Sequence, residues 1–478
     1  MLFNSAGFAI FFVVVFFLYW FVLNKSLKWQ NIFLAVCSYF FYGCWDWRFM
    51  FLLAFSTFLD YFSGLKIAEA SGASKKKFWL VLSVGLNLGF LGFFKYYNFF
   101  VESFAELLSS VGFTPHMTTL NIILPVGISF YTFHGLSYVF DIYFGKIKPT
   151  RNWIDYSLFV SFFPLLVAGP IERATHLLPQ VEKPRVFNYS KAVDGLKQIL
   201  WGLFKKVVVA DNCAELANTI FHNHEHYSGS TLALGAMLFA IQIYGDFSGY
   251  SDIALGSARL LGFELLQNFR FPYFSRDIAE FWRRWHISLS SWFRDYLYFP
   301  LGGSRGGMAK TVRNTFIIFL VSGFWHGANW TFLAWGGLNA LFIMPSIIFK
   351  TNRKNLDTVA EGRILPSIRE SFQLILTFSL ASLAWVFFRA ETIADAISYI
   401  KGIFSASLFQ KPDVISGTVI VIVIVFMVIE WLGRENKYAI EKLTLTWKRS
   451  LSWAFYYLII LAILCLTGNE QQFIYFQF

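Results

Sequence analysis

Two histidines in this 478-residue chain stand where an imidazole can do chemistry. His286 lies in DIAEFWRRWHISLSSWFRDYLYFPLGGSRGG, and His326 closes the apolar run of FLVSGFWHGANW forty positions later. An imidazole of pKa near 6.5 can take a hydroxyl proton during attack on an acyl carbonyl, or carry the acyl group itself. A polar ring at that depth is costly unless it is used or partnered, so intramembrane histidine is by default a functional hypothesis. Packing is the competing reading of His326, because Gly323 and Gly327 frame it as a GxxxG. Asn329, about one helical turn on, is a candidate to orient the ring, with a plain helix contact as the alternative.

The element that carries His286 has legible ends. Asp277 stands three positions before Glu280, the spacing of a capping box, and Pro300 and Gly302 stop the run. One amphipathic helix is expected over 277–297. At about 100° per residue, Phe281, Trp282, Trp285, Leu289, Trp292, Phe293, Tyr296 and Leu297 share one side. Arg283, Arg284, Ser288, Ser290, Ser291, Arg294 and Asp295 share the other, with Ile287 an intruder. Indole rings on one face and guanidinium groups on the other suit a bilayer interface, and His286 falls at the edge, facing protein or lipid. The glycines around Ser304 and Arg305 form a turn able to offer amides to a phosphate.

Composition sets the frame for these elements. The chain is 56% hydrophobic, 21% aromatic and only 14% charged, far from a soluble globular domain. Apolar runs of about 18 or more residues recur from end to end, which predicts an all-α, multi-pass integral membrane protein. The formal net charge of +11 does not point to nucleic acid, because the basic residues sit in short loops between spans, as cytoplasmic loops require. Cys37, Cys44, Cys213 and Cys465 lie in or beside apolar runs without CxxC spacing, which reads as buried core residues rather than zinc ligands or disulfides.

Taken in order, 6–23 is a retained first span, and Lys25 and Lys28 put the following loop inside. The stretch 32–65 is two short passes or a re-entrant hairpin broken near Asp46 and Arg48. Lys66, Lys75, Lys76 and Lys77 mark another inside loop, 78–94 crosses outward, and Glu102, Glu106 and His116 lie in an outside loop. The chain returns over 120–144, interrupted at Pro125 and Gly127, with His134 read as a satisfied core histidine. Pro164, Gly169 and Pro170 predict a broken element over 157–170. Lys205 and Lys206 flank the next apolar stretch, and His222, His224 and His226 read as a polar loop more than a metal site. Asp246 and Asp252 are expected to pair with Arg259, Arg283 or Arg284, or else to orient a histidine. A charged loop follows at 350–363, then spans at 372–388, 414–432 and 452–466. About ten to twelve helices cross or enter the membrane, in one domain spanning 1–478 with its core near 240–340. If Arg313 is cytoplasmic, thirteen residues of helix place His326 roughly 20 Å away, past the middle of a core about 30 Å thick.

FWRRWHISLSSWFRDYLYFPLGGSRGG together with FWHGANWTFLAWGGLN resembles the membrane-bound O-acyltransferase family, MBOAT, and within it the bacterial alginate O-acetyltransferase branch. LPVGISFYTFHGLSYVFDIY, YGDFSGYSDIALGSARLLGF and the terminal FIYFQF extend the resemblance over nearly the whole chain. It implies a multi-pass protein of the bacterial inner membrane that moves an acetyl group from a cytoplasmic donor, acetyl-CoA, toward hydroxyls of an exported polysaccharide. It implies His326 as the catalytic histidine and His286 as the second motif histidine. It also implies an extracytoplasmic partner protein that receives the acyl group, and 473–478 is a candidate docking element or an interfacial anchor among lipids. Arg283, Arg284, Arg294 and Arg305 are candidates to meet the phosphates of the donor, with lipid headgroups as the competing partners. The rival from another class is a transporter of a polysaccharide or lipid-linked sugar precursor, whose buried histidines would relay protons. Paired half-repeats and acid-rich spans, which that reading calls for, are not seen.

Overall fold

Inside hydrocarbon, backbone N–H and C=O groups find no water and must close their hydrogen bonds within the segment, so apolar runs of this length become helices. A computed structural model describes residues 1–113, 119–167 and 169–476, with the Phe476 side chain excepted. Among the described residues every regular element is helical. The chain forms two compact units, Met1–Tyr189 with Ala258–Leu266, and Ser190–Ser257 with Gln267–Phe478.

The first unit holds α1 (Ala6–Phe17), α2 (Leu27–Gly43), α3 (Arg48–Glu69), α4 (Ala73–Leu91), α5 (Tyr97–Ser110), α6 (Ile128–Tyr143), α7 (Trp153–Ser161), α8 (Phe163–Leu166) and α9 (Ala174–Val181). The 32–65 stretch, expected as two short passes or a re-entrant hairpin, is two helices broken at the expected place, and Arg48 forks onto Asp46 at 2.6 Å in the turn between them. Helix α5 replaces the expected outside loop, and His116 lies outside the described residues. Helix α6 begins at the predicted break, with Gly127 left-handed at φ 71°. His134 is wholly buried in α6, its ring 6.2 Å from that of Phe159; the core position is as expected, whereas no hydrogen-bond partner satisfies either ring nitrogen among the described residues. The broken element is present as α7 and the four-residue α8, both buried.

The second unit holds α10 (Tyr189–Leu203), α11 (Asp211–His222), α12 (Gly229–Leu260), α13 (Ile278–Arg284), α14 (Ile287–Phe293), α15 (Met308–His326), α16 (Trp330–Ile348), α17 (Ile368–Arg389), α18 (Ile393–Ile403), α19 (Gly417–Gly433) and α20 (Arg449–Cys465). Its centre is α12, a 32-residue helix with most of its apolar surface inside the protein. Helices α15 and α16 pack as a hairpin in which glycine is required. A Cβ at Gly323 would come 2.2 Å from the Phe332 carbonyl oxygen, and one at Gly336 would come 2.3 Å from that of Phe319. The GxxxG reading thus holds for Gly323 as helix packing.

Among the described residues five helical segments are long and apolar enough to cross a bilayer: Arg48–Glu69, Ala73–Ser110, Gly229–Leu260, Trp330–Ile348 and Ile368–Arg389. Ala6–Val22, Gly417–Gly433 and Arg449–Cys465 are shorter apolar helices. Exposed Val421, Ile424, Val425 and Val428 line one side of α19, a surface that only lipid solvates well. All four cysteines are free, but only Cys37 and Cys213 are buried, and Cys44 and Cys465 are exposed.

Candidate active site

The helix expected over 277–297 starts as predicted and then breaks at the histidine. Asp277 caps it, its carboxylate accepting from the Glu280 amide at 2.7 Å. The return bond of the box goes one residue further back, because the Glu280 carboxylate accepts from the Arg276 amide at 2.8 Å. Helix α13 stops at Arg284, and His286 takes a left-handed φ of 42°. A neighbouring extended segment replaces the lost helical bonds: the Arg270 amide donates to the Arg284 carbonyl at 3.0 Å, and the Ile287 amide donates to the Asn268 carbonyl at 2.9 Å. Left-handed backbone in a non-glycine residue costs of order 1–3 kcal/mol and gathers at functional sites. The break ends the amphipathic register, so Trp285, Leu289, Trp292 and Phe293 face protein rather than a bilayer interface.

The break also aims the ring. Buried His286 sets Nδ1 2.9 Å from the Asn268 Oδ1, which accepts as well from the Ser288 hydroxyl at 2.9 Å. The Asn268 Nδ2 donates to the Ser251 Oγ at 3.0 Å, which fixes the amide orientation. With an amide oxygen opposite it, neutral His286 carries its hydrogen on Nδ1 and presents a lone pair on Nε2. That Nε2 is buried and has no hydrogen-bond partner among the described residues.

His326 is the last residue of α15, and its ring centre stands 6.5 Å from that of His286. Trp325, Trp335, Phe388 and Tyr475 surround it with ring centres at 4.9, 5.1, 5.4 and 5.5 Å. Helix α15 runs unbroken from Met308, so the thirteen residues after Arg313 do separate the imidazole from the basic end by about 20 Å. Two imidazoles at this separation, in an aromatic chamber that keeps bulk water out, suit proton transfer to and from an acyl-transfer centre.

The other expected residues are placed differently. Asn329 caps α16, its Oδ1 accepting from the Thr331 amide while Nδ2 donates to the Glu391 carbonyl, so both ends of the amide are turned to tasks other than orienting His326. Arg283 donates to the carbonyls of Asn352 and Asn355, and Arg284 pairs with Glu280 at 2.8 Å. Both guanidinium groups are spent on protein, and Arg283 with Arg276 ties down the 350–363 loop. Arg294 stays exposed beside Asp295 at 2.9 Å, and Arg305 is exposed in the glycine turn. No group of histidines, cysteines and acids able to hold a metal is found among the described residues, the 222–226 histidines included. An apolar cavity of about 470 Å³ between α12, α17 and α19 has no histidine, carboxylate or amine in its wall.

Asp246 and Asp252 pair with neither Arg259, Arg283 nor Arg284. Lys206 meets Asp246 at 2.8 Å and Lys205 meets Asp252 at 2.5 Å, so the two lysines are buried ion-pair members and not loop residues. The C-terminal segment is likewise internal as far as it is described. Phe473 and Ile474 are buried and Tyr475 stands against both histidines, while Gln477 and Phe478 lie outside the described residues. Sequence reasoning missed Asn268 and Tyr475 as members of the site. For Tyr475 a signal existed, the aromatic FIYFQF, but it was read as an exterior feature.

Comparison with known proteins shows the family of the chain. The family model described as "MBOAT, membrane-bound O-acyltransferase family" covers residues 147–388, both histidines included. The probable alginate O-acetylase AlgI of Pseudomonas aeruginosa is 37% identical over 444 residues, 92% of this chain and 82% of that one. Its counterpart in Pseudomonas putida is 36% identical over 503 residues and covers both chains in full. The peptidoglycan O-acetyltransferase of Helicobacter pylori is 36% identical over 431 residues, 84% of this chain and 79% of its own. A helical membrane chain that buries two histidines side by side, matched across its length by O-acetyl-transferring relatives, belongs to the membrane-bound O-acyltransferase family and is an acyltransferase.

Proposed function

We propose that the protein takes an acetyl group from acetyl-CoA at the cytoplasmic face of a bacterial inner membrane and passes it toward hydroxyls of an exported polysaccharide. The reading rests above all on the paired, buried histidines, one of them with its lone pair fixed by Asn268. In the reaction, His326 takes the proton of the attacking hydroxyl as its oxygen bonds to the thioester carbonyl carbon. The carbon–sulfur bond then breaks, and the leaving thiolate recovers the proton. His286 Nε2 accepts a hydrogen bond from a second donor group of the acceptor molecule and so holds that molecule beside His326. Exposed Arg294 and Arg305 meet donor phosphates, which guanidinium groups match bidentately.

The relatives' names speak of alginate and peptidoglycan, so an extracytoplasmic polymer is the acceptor class that the family favours. A separate extracytoplasmic protein completes delivery, as the family resemblance implies, because the outside segment expected after 94 is too short to fold into a transferase of its own. The test is purified protein in vesicles with acetyl-CoA, following thiol release. His326→Ala should abolish turnover with membrane expression intact, and His286→Ala should lose as much or less. Near wild-type turnover by His326→Ala would remove the assignment. Efficient polymer acetylation with no second protein present would remove the partner.

A further inference from the structure

The histidine chamber is closed on one side by a segment that is more than 140 residues away in sequence, held there by backbone hydrogen bonds and buried charges. After α20 the chain runs along the π-helical turn Phe204–Ala210 and the start of α11. Asn212 Nδ2 donates to the Leu466 carbonyl at 2.8 Å, and the Gly468 amide donates to the Val207 carbonyl at 3.3 Å. Gly468 is a required glycine at this approach, since a Cβ there would come 2.9 Å from the Asn212 backbone nitrogen.

Two buried charges then grip the backbone beyond it. The Lys206 ammonium lies between Asp211 and Asp246, 2.8 Å from each, and donates a further bond to the Gln471 carbonyl at 3.0 Å. Asp246 uses its other oxygen, Oδ2, to accept from the Ile474 amide at 2.7 Å. The next residue is Tyr475, whose ring packs 4.5 Å from that of Phe247 and 5.5 Å from that of His326. Phe473, on the other side of Ile474, packs 4.4 Å from the Tyr250 ring.

Stability alone is a poor reason to bury these groups. A buried ion pair roughly breaks even against apolar packing, so its retention calls for a specific geometric task. Here the task is visible, because both members spend their remaining hydrogen-bonding capacity on the main chain of one short segment. We propose that Lys206 and Asp246 are positioning residues for acyl transfer: they clamp the 471–474 backbone so that Tyr475 is seated as a wall of the histidine chamber. The inference rests on the reading of that chamber as the reaction site.

The test uses the full chain in lipid nanodiscs and reads segment position separately from reaction. Ile474→Cys keeps the amide and places a thiol at a buried position, and its maleimide labelling is followed by peptide mass spectrometry. Adding Asp246→Asn, or Lys206→Met, should speed labelling roughly tenfold or more, while gel filtration and thermal unfolding show the bulk of the fold retained. In separate chains, Asp246→Asn and Ile474→Pro should lower kcat roughly ten- to hundredfold, the factor that one or two lost positioning hydrogen bonds correspond to, with KM for acetyl-CoA unchanged. Ile474→Pro removes the amide donor and leaves the ion pair in place, with Ile474→Val as the control for the changed side chain, so it stands if the charge variants do not fold. Unchanged labelling would overturn the clamp. Faster labelling with wild-type kcat would overturn the positioning role. If the wild type transfers no acyl group, the reaction reading is what fails, and the labelling comparison still decides whether the two residues hold the segment.

Discussion

Removing the Asn268 side chain is the perturbation that most directly probes how the site is set. Asn268→Ala takes away the acceptor of His286 Nδ1–H and of the Ser288 hydroxyl, and the donor to Ser251, three bonds of 2.9 to 3.0 Å. Each buried group left unpaired costs about 1–3 kcal/mol, so the variant is expected to be several kcal/mol less stable against a typical total of about 5–15. Activity is therefore expressed per folded molecule, after gel filtration at low temperature. The catalytic part follows from the ring. Without the amide oxygen, His286 is free to place its hydrogen on Nε2 and to turn, and one orienting hydrogen bond of about 1.5–3 kcal/mol in the barrier is worth roughly 10–100-fold in kcat. The assay is thiol release from acetyl-CoA by reconstituted protein at saturating donor, with KM measured alongside. Asn268→Asp keeps an acceptor for Nδ1–H and is expected to retain more kcat than Asn268→Ala, even though it forfeits the donor to Ser251. A folded Asn268→Ala protein within twofold of wild-type kcat would refute the claim that this amide sets the working tautomer.

Other outcomes follow from the same geometry. Gly323→Ala should destabilise the α15–α16 hairpin by about 1–3 kcal/mol of overpacking, because its Cβ has no room at the Phe332 carbonyl; an unchanged Tm would show that the hairpin is looser than described. Arg294→Gln combined with Arg305→Gln should raise KM for acetyl-CoA and leave kcat alone, whereas Arg283→Gln, whose guanidinium is spent on loop carbonyls, should lower thermal stability without raising KM; the reverse pattern would reassign the donor site. Asp357 has its pKa held below the usual carboxylate range by the Arg276 side chain. A depressed folded pKa gives stability that is present above the unfolded value, near 3.9, and lost as pH falls through the lower folded one. The Tm gap between wild type and Asp357→Asn should thus hold from pH 7 to pH 5 and close only below about pH 4. A gap already closed at pH 6 would contradict the pairing.

Local pattern carried the class of the protein and singled out the two histidines proposed to react. Hydropathy runs read as membrane helices because a span needs only its own apolar residues, and a capping aspartate such as Asp277 is legible because the amide it meets is three residues away. His326 was legible for the same reason, as a polar ring at the end of an apolar run. What only the tertiary structure decided was set by partners distant in sequence. The break at His286 depends on Asn268 and Arg270, whose amide and carbonyl bonds substitute for helical ones, and no periodicity within 277–297 announces them. Lys205 and Lys206 look like loop residues by composition, yet they are buried because Asp252 and Asp246 stand opposite them. Tyr475 is seated at the chamber by the residue before it, Ile474, whose amide donates a hydrogen bond to the Asp246 carboxylate 228 positions earlier. Helical spacing reports only which residues share a face within a few turns, whereas a buried charge or amide is satisfied by whatever the folded chain brings to it, and that choice is made in three dimensions.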